Sequence, residues 1–103
     1  MNDSTLPGYM HPDLWLDEGH AVEFITLPGD DEPCGGIVWH RNSTPDPNFP
    51  WCAAGFYWRD VPGKLSPGPR WQLVSREPLH LEPSLLCVCG AHGFIRGGKW
   101  IPA

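Results

Sequence analysis

The sequence predicts a mostly β fold: a small, single-domain, loop-rich antiparallel sheet, sandwich or open barrel that ends in a zinc-knuckle-like hairpin. Thirteen Pro and twelve Gly in 103 residues divide the chain into short segments. Six Trp, four Phe and two Tyr provide apolar bulk that a disordered chain lacks. No long apolar pattern with helical spacing is present, so strands are expected throughout.

The N-terminal residues 1–20 are predicted to be a tail, and residues 21–103 a β-rich, metal-stapled domain. Within the tail, only residues 13–18 have a composition that favours a helical turn. We expect the apolar residues 14–16 to dock on the domain. The alternative is that they form a short linear motif for a partner.

Seven or so short strands are predicted in the domain, from β-branched, aromatic and alternating apolar residues. The last segment, 94–101, is predicted to form a closing hairpin across a turn at Gly97 and Gly98. The strand segments are 21–27, 37–41, 51–59, 71–75, 78–83, 84–89 and 94–101, and turn-forming residues predict loops at 28–33, 42–50 and 61–69.

The charge distribution is asymmetric within a net charge of −5. Residues 1–51 carry nine acids and one base, whereas residues 52–103 carry six bases and three acids. Attraction between the two halves is the simpler interpretation, and an acidic face offered to a basic partner is the alternative. Overall acidity disfavours nucleic acid as a partner.

The composition also predicts a cytoplasmic protein. No apolar run is long enough to span a membrane, and the first residues lack the features of a secretory signal. In a reducing compartment, the four Cys are expected to be metal ligands or free thiols rather than disulfides.

The segment from Cys87 to His92 concentrates groups that bind metal. Cys87 and Cys89 are two positions apart on a strand and point to the same face. Gly90 allows a tight turn that would bring His92 back towards the thiols. Zinc takes Cys and His ligands in tetrahedral sites, so this segment predicts three ligands of a structural zinc. The alternative is that both thiols are small core hydrophobes and that His92 is a turn residue.

The fourth ligand has four candidates, Cys34, His40, Cys52 and His80. Cys52 is preferred because it begins an aromatic strand directly after a loop. His40 ends its strand across the same loop and is the main substitute, whereas Cys34 is interpreted as a buried or free thiol beside a turn. The predicted metal ligands are Cys52, Cys87, Cys89 and His92.

Catalytic motifs are absent from the sequence. Neither H-E-x-x-H nor H-x-E with C-x-x-C occurs, and a Cys–His nucleophile would lack a third, orienting group. A non-catalytic protein is therefore predicted. The alternatives are a metal-dependent hydrolase or nuclease with an open zinc position, using Glu77 or Glu82 as a base, and a small DNA-binding regulator.

The run from Pro83 to Trp100 contains Pro-Ser-Leu-Leu-Cys, then Cys-Gly-Ala-His-Gly-Phe-Ile and Gly-Lys-Trp. It resembles the C-terminal signature of small proteins encoded by actinobacteriophages, mycobacteriophages especially, and by their hosts. Trp-His-Arg at 39–41 and Trp-Cys at 51–52 also match that family, so the resemblance covers roughly residues 37–103. Family members have two residues between the thiols, whereas Val88 stands alone here.

This resemblance implies a phage-encoded protein that acts in the cytoplasm of the bacterial host, and it implies no particular activity. The residues and the resemblance together predict an accessory or host-interaction protein with one structural zinc. Such a protein would bind a host protein through an acidic or aromatic surface.

Overall fold

The computed structural model describes residues 6–43, 47–59 and 70–103. The predicted loop at 61–69 and part of the loop at 42–50 lie outside these residues. Within the described ranges the chain forms nine strands and no helix, which confirms the mostly β prediction. None of the described elements is a helix that could cross a membrane. The strands are β1 (Leu14–Asp17), β2 (His20–Ile25), β3 (Gly35–Arg41), β4 (Trp51–Tyr57), β5 (Gln72–Arg76), β6 (Leu79–Glu82), β7 (Leu85–Leu86), β8 (His92–Arg96) and β9 (Lys99–Pro102).

The strands form three antiparallel sheets. The first contains β1-β2-β3-β4 in chain order, the second is the β5-β6 hairpin, and the third contains β7-β8-β9. All pairings join neighbours in the chain, as short loops between strands require.

Residues 13–18 do not form the predicted helical turn, because this segment forms β1 and pairs with β2. Leu14 lies opposite Val22 in the register, and the Asp13 carboxylate accepts a hydrogen bond from the backbone N–H of Phe24 at 2.8 Å. In a strand, residues two apart share a face, so Leu14 and Leu16 both reach the core. A helical turn would have separated them. Part of the predicted tail is therefore the edge strand of the first sheet.

The segment before β1 covers the other face of this sheet. The Tyr9 and Trp39 rings lie 5.6 Å apart, and Met10 is buried. The backbone N–H of His11 donates to Glu23 Oε1 at 3.1 Å, and Trp39 Nε1 donates to the same oxygen at 3.0 Å. This end of the chain therefore docks on the domain through specific contacts.

The hydrophobic core lies between the four-stranded sheet and the two smaller sheets. Val22 and Val38 are paired across β2 and β3 and are fully buried. His40 is two residues beyond Val38 on the same strand, and Cys52 lies opposite His40 on β4. Because side chains alternate along a strand, His40 and Cys52 point to the core side, at one end of the sheet. The buried core residues are Leu16, Val22, Val38, Phe56, Leu79, Leu81, Leu85 and Ile95.

The predicted closing hairpin is present as β8 and β9. Gly97 and Gly98 form its turn with φ values of 60° and 74°, the left-handed region that a two-residue hairpin turn requires. The backbone N–H of Gly98 also donates to the Leu79 carbonyl at 2.9 Å, which ties the turn to β6.

Gly35 and Gly55 provide a matched pair of substitutions on neighbouring strands. A Cβ on Gly35 would lie 2.8 Å from the Tyr57 Cα and closer still to the Phe56 carbonyl oxygen, whereas a Cβ on Gly55 would meet nothing nearer than 4.0 Å. We expect Gly35→Ala to lower the free energy of unfolding by about 3 kcal/mol, since backbone atoms cannot move aside. Gly55→Ala should change it by less than about 0.5 kcal/mol. Urea denaturation measures both, and equal losses would contradict the packing at Gly35.

Candidate metal centre

His40 lies at the end of β3 with its side chain fully buried. Its Nδ1 is 2.9 Å from the Arg41 carbonyl oxygen. A carbonyl only accepts, so Nδ1 carries the proton and the Nε2 lone pair is free. Nε2 is buried and has no hydrogen-bond partner among the described residues. An unsatisfied buried acceptor costs about 1–3 kcal/mol, so this atom is placed to bind a further group.

Three thiols surround this imidazole. One ligand atom from each of His40, Cys52, Cys87 and Cys89 lies within 4.8 Å of the other three. The sulfurs of Cys52 and Cys87 are 3.3 Å apart, and no disulfide joins any of the cysteines. Tetrahedral zinc with sulfur at about 2.3 Å places two sulfurs roughly 3.8 Å apart. The spacing of this four-donor cluster (His40, Cys52, Cys87 and Cys89) is therefore compatible with a single bound ion.

The turn that follows β7 positions Cys87 and Cys89. The backbone N–H of Cys87 donates to the Ala91 carbonyl at 2.8 Å, and the N–H of Gly90 donates to the Cys87 carbonyl at 2.9 Å. Gly90 has a φ of 99°, which a residue with a side chain rarely adopts. Val88 is 100 % exposed between the two cysteines. The strand predicted over 84–89 ends at Leu86, so Cys87 and Cys89 lie in a turn. Both sulfurs nevertheless reach the cluster.

A second contact connects this turn to the segment after β3. The Ser43 hydroxyl donates to the Cys89 carbonyl, 46 residues away in the chain. The four-donor cluster thus joins three parts of the fold: the end of β3, the start of β4 and the turn between β7 and β8.

The thiols influence one another electrostatically. Burial, followed by hydrogen bonds with Cys87 and Cys89, raises the pKa of Cys52 to about 12. Burial also opposes ionisation of Cys89, but hydrogen bonds from Ser43, Ala91 and Cys87 outweigh it and lower the Cys89 pKa to about 6. Adjacent thiols cannot all ionise together without a compensating cation. A divalent ion supplies that charge and stabilises every thiolate around it.

The structure brings three of the predicted ligands together, Cys52, Cys87 and Cys89, and it places His92 elsewhere. His92 is exposed, and its Nε2 lies 2.8 Å from the Ser84 hydroxyl. The sequence argument required the Gly90 turn to bring this ring back to the thiols. Strand β8 instead begins at His92, and its buried positions are Gly93 and Ile95. Alternation along the strand therefore turns His92 towards solvent.

His40, the main substitute in the sequence analysis, occupies the fourth position. The signal that favours it is the pairing of β3 and β4 around the intervening loop. Arg41 pairs with Trp51, so His40 must pair with Cys52 on the same face. If the predicted strands on either side of the loop at 42–50 are paired as a symmetric hairpin, His40 falls opposite Cys52. The sequence therefore contained the information needed to predict this pair.

The two other candidates have different partners. Cys34 is fully buried, and its thiol donates to the Ile25 carbonyl at 3.5 Å, as expected for a buried thiol beside a turn. His80 Nε2 lies 2.8 Å from the Glu82 carboxylate. Arg96 binds the same carboxylate at 3.1 Å, and Arg96 together with His80 lowers the pKa of Glu82. His80, Glu82 and Arg96 thus form a network of their own, apart from the four-donor cluster.

Three sulfurs and one imidazole are a donor set that zinc takes in structural sites. The hydrogen bond from Nδ1 of His40 to a backbone carbonyl is the kind of outer contact that orients a metal-binding imidazole. The chain therefore contains a possible metal-binding cluster. Comparisons with protein-family models, with curated proteins and with solved structures found no match.

Proposed function

We propose that the protein is a non-catalytic binding module whose fold is stabilised by one structural zinc ion, held by His40, Cys52, Cys87 and Cys89. The observation that carries this proposal is the buried, unpartnered Nε2 of His40 beside three free sulfurs. Most buried polar side-chain atoms have a hydrogen-bond partner, so an unpartnered Nε2 calls for an explanation, and a metal ion supplies one.

Zinc fits this site better than magnesium or calcium, since those ions prefer oxygen ligands. Four protein donors complete a tetrahedron, which leaves no open position for a catalytic water. A small domain with a limited core also gains the most stability from a bound structural ion. These arguments support a structural role for the ion.

Cobalt(II) provides the direct test of the ligand set. We expect metal-free protein under reducing conditions to bind one cobalt per chain, with the visible absorption of a tetrahedral thiolate complex, and zinc to displace it. Cys89→Ser should weaken the thiolate-to-cobalt band, because one sulfur is lost. His92→Ala should leave the spectrum unchanged, since its ring lies outside the cluster. A spectrum that responds to His92→Ala but not to Cys89→Ser would contradict the proposed ligands.

The biological role that we propose is an accessory or host-interaction protein of an actinobacteriophage, which binds a host protein in the bacterial cytoplasm. The resemblance of the segment from Pro83 to Trp100 to phage proteins supports the proposed phage origin. Exposed acids at Asp31 and Glu32 and the exposed ring of Phe49 support binding through an acidic or aromatic surface.

Affinity capture from a mycobacterial lysate tests this role with matched surface variants. We expect the wild-type protein to retain a specific host protein. Either the double variant D31K/E32K or Phe49→Ala should lose it while keeping the wild-type melting temperature. Absence of a specific host protein, or retention by both variants, would contradict the proposed surfaces.

No contact among the described residues favours the hydrolase or nuclease alternative. Glu82 is held by Arg96 and His80, and neither Glu77 nor Glu82 belongs to the four-donor cluster. The regulator alternative gains no support from a chain with a net charge of −5.

A further inference from the structure

We propose that the metal centre is also a redox-sensitive switch, in which a hydroperoxide converts Cys52 and Cys87 to a disulfide and thereby releases the zinc. This inference rests on the proposed zinc site and concerns its regulation.

The two sulfurs already face each other. They lie 3.3 Å apart, and a disulfide needs about 2.05 Å, so they must approach by roughly 1.3 Å. Cys52 is held in the paired strand β4. Cys87 follows β7, where its thiol also contacts the Ala53 carbonyl at 3.5 Å. A small movement of the turn after β7 is therefore enough to join them.

The other thiols are less suited to this reaction. Cys87 and Cys89 are separated only by Val88, and a bridge between them would force a strained ring on a tight turn. Cys34 lies just before β3, whereas His40 lies near the far end of that strand. The two residues are six positions apart along extended chain, a distance of roughly 20 Å. The sulfur of Cys89 also lies within 4.8 Å of the Cys52 sulfur. The 3.3 Å approach between the sulfurs of Cys52 and Cys87 is the observation that favours this pair.

The reaction balances with the peroxide as oxidant. The half-buried Cys52 sulfur, which is a thiolate when zinc is bound, attacks the peroxide, an S–O bond forms, and the O–O bond breaks to release hydroxide or an alkoxide. The Cys87 thiolate then attacks the Cys52 sulfur, an S–S bond forms and the S–O bond breaks to release hydroxide. The two sulfurs lose two electrons, the peroxide gains them, and two protons complete the oxygen products. The zinc is left with only His40 and Cys89 and dissociates.

Hydrogen peroxide added to the zinc-loaded protein tests the switch. A metal-sensitive dye should record one zinc released for each Cys52–Cys87 disulfide, which peptide mass spectrometry without reduction identifies. Dithiothreitol with added zinc should restore the loaded protein. Cys34→Ala should behave as the wild type does. Cys52→His keeps four donors but lacks the pair, and it should retain its zinc at a peroxide dose that empties the wild type.

Release accompanied by sulfinic acids, a disulfide at another pair, or equal release from Cys52→His would overturn the switch. So would loaded protein that keeps its metal and its thiols. The zinc content measured before peroxide is added reports on the metal site itself. A chain that takes up no zinc at that step would overturn the proposed function first, and the switch with it.

Discussion

Removing the bound metal is expected to unfold the domain. The four-donor cluster joins the end of β3, the start of β4 and the turn after β7, and without the ion it contains three adjacent thiols and an unpaired Nε2. Zinc binding contributes on the order of 10 kcal/mol in zinc-finger peptides. A domain of this size has a total stability of about 5–15 kcal/mol. A strong chelator should therefore abolish the cooperative thermal transition seen by circular dichroism under reducing conditions.

The control is the same chelator saturated with zinc beforehand, which should leave the transition unchanged. Zinc added in excess of the chelator should restore the β-sheet signal. A chelated protein with an unaltered melting temperature would show that the hydrophobic core alone holds the fold, and the structural role of the ion would be lost.

Replacing His40 with alanine is expected to have the next largest effect. The change removes one of four donors and leaves a cavity beside Cys52, and loss of a metal site is among the few causes of losses above about 4–5 kcal/mol. His40→Cys supplies a fourth sulfur in place of the imidazole, and it should keep both the metal and a cooperative transition. Chemical denaturation combined with elemental analysis measures the two effects together.

Two histidines outside the cluster, exposed His92 and half-buried His80, serve as matched controls. His92 contacts Ser84, and His80 contacts Glu82. Neither contact is fully buried, so either alanine variant should cost no more than about 1 kcal/mol. The assignment of His40 fails if His40→Ala is as mild as His92→Ala. It also fails if His40→Cys is as damaging as His40→Ala, since a packing role would not distinguish a donor atom from a methyl group.

Local patterns were sufficient for the fold class and for part of the site. Closely spaced Pro and Gly and the alternation of apolar residues are local patterns, and they correctly predicted short strands. The exception is the helical turn predicted at residues 13–18, where the structure has strand β1. The β8–β9 hairpin followed from two glycines that can adopt positive φ. The turn at Gly90 was predicted correctly, but Cys87 and Cys89 reach the cluster from that turn and not from the predicted strand at 84–89.

Contacts between distant segments could not be predicted from local sequence patterns. Cys52 and Cys87 are 35 residues apart in the chain, and Ser43 and Cys89 are 46 apart. The choice of His40 over His92 depends on strand register and on where β8 begins, because a shift of one residue turns a side chain to the opposite face. The sequence alone was thus sufficient to predict the three thiols as ligands and the turn at Gly90. The pairing of β3 with β4 decided that the imidazole beside these thiols is that of His40.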